Sequence, residues 1–212
     1  TLNCEHTEII KQNNQTEINC IVQNKGNTEL IDLNFCIESK CEQINLPINQ
    51  EYNLENTLTF PNAGWETVLI KIENEFVQKQ KYLNIKTLDN AKIEINTTIS
   101  NNITYGEKFF MTISLSKGSF STPEEANIIV TSHNVQNKWD IEIVDKNEDI
   151  IIEFSTIGMT FNNQFPLEVS WKDEFGTQYS ESKMIHIKVQ DDNIWSKIVM
   201  FFNQIPPFSP YR

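Results

Sequence analysis

Hydrophobic and polar residues alternate along most of the chain, and a period of two marks strands that bury one face and wet the other. Near the start Thr16, Ile18, Cys20 and Val22 share a face while Glu17 and Asn19 point away. Ile31, Leu33, Phe35 and Ile37 alternate with Asp32, Asn34 and Cys36; Val68, Leu69, Ile70 and Ile72 follow, then Leu83 and Ile85. The spacing predicts seven strands before position 87, at 3–10, 15–24, 30–37, 40–46, 52–60, 66–74 and 76–86. Asn24-Lys25-Gly26 and Pro61-Asn62-Ala63-Gly64 supply turn chemistry between them.

A second series starts after Leu88-Asp89-Asn90. Phe109, Met111, Ile113 and Leu115 face one way and Lys108, Thr112 and Ser114 the other. Ala126, Ile128 and Val130 repeat the pattern, as do Trp139, Ile141 and Ile143, then Phe165, Leu167, Val169 and Trp171, then Ile185, Ile187 and Val189. Seven more strands are predicted, at 91–99, 108–116, 125–132, 138–144, 149–156, 164–171 and 179–189. Each block has the size of a seven-stranded antiparallel sandwich. No long helical stripe precedes residue 190, which argues against parallel α/β folds with nucleotide crevices. The reading is all-β, with domains at 1–87 and 88–190 and a tail at 191–212.

Within that tail Ile194, Trp195, Ile198, Val199, Phe201, Phe202 and Ile205 recur at helical spacing behind Asp191 and Asp192, and Pro206-Pro207 ends the run. A helix folded back on the second sandwich is the simplest expectation. A helix lying on a membrane and a stem leading into a membrane segment further along are the alternatives, in which these residues would dock on the membrane or on a partner.

Charge narrows the partners. The 212 residues carry 29 acids against 17 bases, a net charge of −12, and Arg212 is the only arginine. Phosphate recognition needs clustered cations, so a nucleic-acid partner is disfavoured. No apolar run reaches the roughly 18–20 residues of a membrane span.

All four cysteines, Cys4, Cys20, Cys36 and Cys41, fall in the first 41 residues without a CxxC pair, which favours two disulfides and an oxidising compartment over a zinc site. Cys4 and Cys20 flank a hairpin centred near Gln12, and Cys36 and Cys41 flank a short tip. The favoured pairing of the three possible is therefore 4–20 with 36–41. Sequons at Asn14, Asn96 and Asn102 agree with export, and glycans at Asn96 and Asn102 would shield one end of the second domain. The first residue, Thr1, suits a chain from which a signal peptide has been removed.

Catalytic arrangements are not evident. His6, His133 and His186 are scattered, and neither HExxH, GxSxG nor a phosphate-cradling glycine loop occurs. The expectation is a non-enzyme without a cofactor or metal. Asp145-Lys146-Asn147-Glu148-Asp149 has the alternating acids of a calcium loop but Ile150 at the glycine position and Ile157 at the closing glutamate position, so a plain hairpin turn is the better reading. Trp65, Tyr82, Tyr105 and Trp139 are the aromatic candidates for a carbohydrate-binding face, with core packing the simpler role for the tryptophans.

Four segments resemble the CARDB and NEW3-type Ig-like modules of archaeal and bacterial surface proteins: Ile21–Asn27, with its Asn24-Lys25-Gly26 turn; Pro61–Val68, leading through Gly64-Trp65 into a strand; Pro123–Val130; and Leu167–Gly176. The resemblance implies two tandem Ig-like antiparallel β-sandwiches followed by a short C-terminal amphipathic helix, together forming an ectodomain carried on a cell surface and archaeal in origin. Its implied role is structural, adhesive or protein-binding, with other surface proteins or envelope components as partners. A carbohydrate-binding accessory module and the extracytoplasmic part of a membrane-anchored complex are the alternatives.

Overall fold

A computed structural model describes residues 1–100, 102–132, 135–190 and 193–204. The chain divides into two compact units, Thr1–Asp89 and Asn90–Arg212.

In the first unit, β1 (Leu2–His6), β3 (Gln15–Gln23) and β6 (Glu51–Thr59) form one antiparallel sheet in the order β1-β3-β6. The second sheet runs β2-β8-β7-β4-β5, from β2 (Ile9–Lys11), β4 (Leu30–Ile37), β5 (Lys40–Leu46), β7 (Gly64–Glu73) and β8 (Gln78–Leu88). Ile18, Cys20 and Val22 from one sheet meet Leu33, Phe35, Ile37, Val68, Ile70, Ile72, Leu83 and Ile85 from the other in one buried core.

Two expectations are corrected here. The single strand predicted at 3–10 is two strands in different sheets: β1 pairs antiparallel with β3, the chain bends at Glu8, and β2 pairs parallel with β8. Ile31 does not join its predicted inward row and is exposed. The ladder between β4 and β5 shifts register between Leu30 and Leu33, where Asp32 has φ 51°, so a bulge turns Ile31 outward.

The second unit repeats the plan. β9 (Ile93–Ile99), β10 (Lys108–Lys117) and β13 (Glu148–Ser155) make a sheet in the order β13-β10-β9. The other sheet, from β11 (Glu124–Ser132), β12 (Val135–Ile143), β14 (Asn162–Lys172) and β15 (Gln178–Lys188), has the order β12-β11-β14-β15. Thr104 forms an isolated parallel bridge to Gln190, at the place where the first unit has β2. The core gathers Phe109, Met111, Ile113, Ile128, Val130, Phe165, Leu167 and Trp171. Ile143 departs from its expected inward position and is exposed. It is the last residue of β12 and pairs with Glu124 at the start of β11, in unbroken register with the rest of that ladder.

The helix α1 (Ile194–Asn203) is capped by Asn193, whose side chain accepts from the Trp195 N–H at 3.0 Å.

Several motif residues are accounted for by the fold itself. Asn24 is buried; its amide donates to the Thr28 and Leu46 carbonyls at 2.8 and 2.9 Å, and its Oδ1 accepts from Gly26 N. The turn motif thus clamps the β3–β4 connection to the end of β5. In the β14–β15 hairpin, Gly176 takes φ 77°, a conformation open to glycine, and Asp173 gathers the turn. Asp173 Oδ1 accepts from Phe175 N and Thr177 N at 3.0 and 2.8 Å, and its Oδ2 accepts from Tyr179 OH at 2.9 Å.

Burial would raise the Asp173 pKa, but the hydrogen bonds from Thr177, Tyr179 and Phe175 outweigh it and hold the carboxyl below its ordinary value of 3.8. A depressed folded pKa stabilises the fold above the unfolded value, and that stability is lost as pH falls through the folded value. Replacing Asp173 by Ala is expected to cost the second domain about 3 kcal/mol near pH 7. The deficit should shrink on acidification below about pH 4, as thermal unfolding across a pH series would show.

Candidate interaction surface

The outward face of the five-stranded sheet in the first unit gathers side chains that the alternation leaves unburied. β7 buries Val68, Ile70 and Ile72, so its odd-numbered residues point out, and Trp65, Leu69 and Lys71 stand in that row. Gly64, at φ 142°, leads the chain into Trp65. β8 buries Leu83 and Ile85, leaving Gln80, Tyr82, Asn84 and Lys86 outward. The register pairs Trp65 with Lys86, Thr67 with Asn84, Leu69 with Tyr82 and Lys71 with Gln80. On the far side of β8, Ile9 of β2 sits beside Lys86 and is exposed.

Trp65 is 68% exposed and Tyr82 61%, which decides their role: neither is a core residue. The expectation that Trp65 packs inside is corrected, because it stands out of phase with Val68, Ile70 and Ile72. Four residues of strand separate the Trp65 and Tyr82 rows, about 13 Å. Between them Thr67 Oγ1 bonds Asn84 Oδ1 at 3.1 Å. The strip is therefore aromatic at both ends, with hydroxyl and amide groups between and a lysine beside the indole. The outward face of β1-β3-β6 is different in kind, presenting Glu5, Glu17, Glu51 and Glu55.

The other aromatic candidates do not join this strip. Tyr105 and Trp139 belong to the second unit and are half-buried against its core. Trp139 shares the inward phase of Ile141, opposite Ile128.

Cys4 is joined to Cys20 and Cys36 to Cys41, each pair in direct register across neighbouring strands. The Cys36–Cys41 pair lies on the same outward face as Lys71. Asn14, Asn96 and Asn102 are all exposed. Asn96 lies in the middle of β9 opposite Ser114, so a glycan there would cover the outward face of the three-stranded sheet and not an end of the domain.

The titratable candidates are dispersed. His6 is half-buried on β1 and His186 is exposed on β15, while His133 lies outside the described residues. Asp145–Asp149 spans the turn from β12 into β13. Among the described residues no three His, Cys, Asp or Glu side chains converge as metal ligands.

The helix departs from the expectation that it packs its apolar residues on the sandwich. Its buried residue is Met200, which joins the core, and Asn203 Nδ2 donates to the Met159 carbonyl at 3.3 Å. Ile194, Trp195, Ile198, Val199, Phe201 and Phe202 are exposed instead, and Ile205 lies outside the described residues. No helix among the described residues is long and apolar enough to cross a membrane.

The strand orders define the class. Each unit packs a three-stranded sheet of its first, second and fifth main strands against a sheet of the third, fourth, sixth and seventh, the arrangement of an Ig-like β-sandwich with its fourth strand on the second sheet. No family model and no curated protein matches the chain, so the likeness to CARDB and NEW3 modules rests on its short motifs.

Among solved structures, the ICAM-5 D1–D4 ectodomain fragment aligns with a TM-score of 0.49 and 9% identity, over 91% of this chain and 53% of that one. The mouse nectin-like molecule 4 ectodomain (Ig1–Ig3) gives 0.44 and 12%, over 91% and 65%. Red sea bream transglutaminase gives 0.33 and 9%, over 91% and 31%. The chain thus spans about half of the ICAM-5 fragment. The class rests on the strand order, to which scores of this size add nothing.

Proposed function

We propose that the chain is a non-catalytic, exported two-domain Ig-like ectodomain that works at the cell surface as an adhesion or protein-interaction module. The observation that carries this reading is the strip of Ile9, Trp65, Leu69 and Tyr82 on one sheet face. An isolated exposed apolar residue is ordinary, but two large aromatics on one rigid face are the side chains that dominate binding energy when a partner desolvates them. The two disulfides and the exposed sequons fit an oxidising, extracellular setting. The short CARDB- and NEW3-like motifs fit a surface module, and other surface proteins or envelope components are its partners.

A glycan ligand is the second reading, favoured by the alternation of aromatic rings with the Thr67–Asn84 hydroxyl and amide. Both readings use the same strip and are separable. Beads coated with the chain should bind cells of the producing species, and a Trp65→Ala/Tyr82→Ala variant should bind about 30-fold more weakly. Protease treatment of the cells abolishes binding under the protein reading. Glycosidase treatment, with hits on a glycan array, abolishes it under the other. Undiminished binding by the double variant would remove the strip from both.

A further inference from the structure

We infer that α1 is a lipid-docking element, which rests the second domain against the hydrocarbon boundary of a membrane by its exposed apolar arc. At 100° per residue, Ile194, Trp195, Ile198, Val199, Phe201 and Phe202 occupy a continuous arc of about 160°. Ser196, Met200 and Asn203 fall on the opposite side, and these are the helix residues removed from solvent. A surface helix ordinarily turns its apolar side to the core. Here the seating on Met159 is made by the mixed side, and Trp195 is left 75% and Ile194 71% exposed.

The chemistry of the arc selects its occupant. Protein interfaces carry roughly one hydrogen bond per 100–200 Å² and a polar rim, whereas this arc offers one hydrogen-bonding group, the Trp195 indole N–H. A surface that asks for no hydrogen bonds, with an indole at its edge, suits the boundary between headgroups and acyl chains. Charge points the same way. All 29 acidic residues precede Asn193, and the twenty residues from Asn193 onward carry only Lys197 and Arg212 as charged side chains. In a chain of net charge −12, this is the longest stretch free of the carboxylates that a membrane surface repels.

Continuity supports the same surface. The turn holding Met159, against which Asn203 is bonded, also carries Ile157 exposed. Ten residues of helix are about 15 Å long, enough to lie in the boundary and too short to cross it.

The test is co-flotation of the chain with phosphatidylcholine vesicles, with and without phosphatidylglycerol. Binding to uncharged vesicles is expected, changing less than about twofold over a tenfold range of salt, because the attraction is apolar and not ionic. A Phe201→Ser/Phe202→Ser variant should bind at least about tenfold more weakly. Both side chains are exposed, so the variant keeps its fold, and circular dichroism checks that. Vesicle binding should blue-shift tryptophan emission in the parent and not in Trp195→Phe. The Trp65→Ala/Tyr82→Ala variant should float unchanged, which keeps this test separate from that of the strip. Failure to float, or equal flotation of the serine variant, overturns the inference. A dimer in sedimentation that the serine substitutions dissolve, without vesicle binding, overturns it in favour of a second copy of the chain.

Discussion

Reducing both disulfides is expected to strip the first domain of about 3–5 kcal/mol while leaving the second unchanged. Cys4 and Cys20 are 16 positions apart, a loop for which the chain-entropy estimate is about 3 kcal/mol, and the separation of 5 between Cys36 and Cys41 gives about 2. A domain of this size has of the order of 5–10 kcal/mol in all, so the bridges supply a large share. The mechanism is restriction of the unfolded chain, since both pairs already lie in register on neighbouring strands. Hydrogen exchange with and without reductant would read each domain separately. Protection should fall across β1–β8 and hold across β9–β15; an equal fall in both would contradict the expectation. Losing the longer bridge alone should lower the first domain's melting temperature by roughly 12–24 °C.

The second large effect is expected at Trp171. Its ring is buried among the core residues of β14 and stacks on Tyr179 with centroids 6.1 Å apart. Its indole Nε1 donates to the Ala91 carbonyl at 2.9 Å, tying the segment that opens the second domain to the end of β14. Trp171→Ala removes the largest core side chain there and should cost about 4 kcal/mol. Trp171→Phe keeps most of the apolar contact but leaves that carbonyl without its indole donor, so a smaller loss of about 1–2 kcal/mol is expected. Urea unfolding of the two variants checks the order. A Phe variant as unstable as the Ala variant would place the whole contribution in the hydrogen bond.

Most strands were legible because burial in a two-layer sandwich enforces period two, and the register of that period is set by the core. Thus β3, β10 and β14 run within one or two residues of their predicted spans. What the period does not encode is the sheet to which a strand belongs. Asn3 through Ile10 read as one strand, and only the bend at Glu8 shows that Ile10 faces the same core from the other sheet. The bulge at Asp32 breaks the alternation locally, which is why Ile31 is exposed where the period places it inside, whereas Ile143 is exposed as the last residue of β12.

The surface strip was legible in principle. Trp65 is out of phase with Val68, Ile70 and Ile72, and Tyr82 with Leu83 and Ile85, a signal that outweighs the habit of assigning tryptophan to cores. For α1 the sequence showed an apolar arc but not its direction. That direction is decided by two contacts, Met200 in the core and Asn203 on Met159, which no local pattern announces.

The sulfur bridges also set how the first domain answers a tug on its ends. Tension passes from Cys4 to Cys20 and from Cys36 to Cys41 through covalent bonds, so residues 5–19 and 37–40 are bypassed and cannot be drawn out. β2, inside the first bypassed loop, rides outside the load path while the bridges are closed. Opening the first bridge returns it to that path, and because β2 runs parallel to β8, pulling the two from opposite ends strains their rungs together in shear. The second domain contains no cysteine, so every residue of it stays available to stretch.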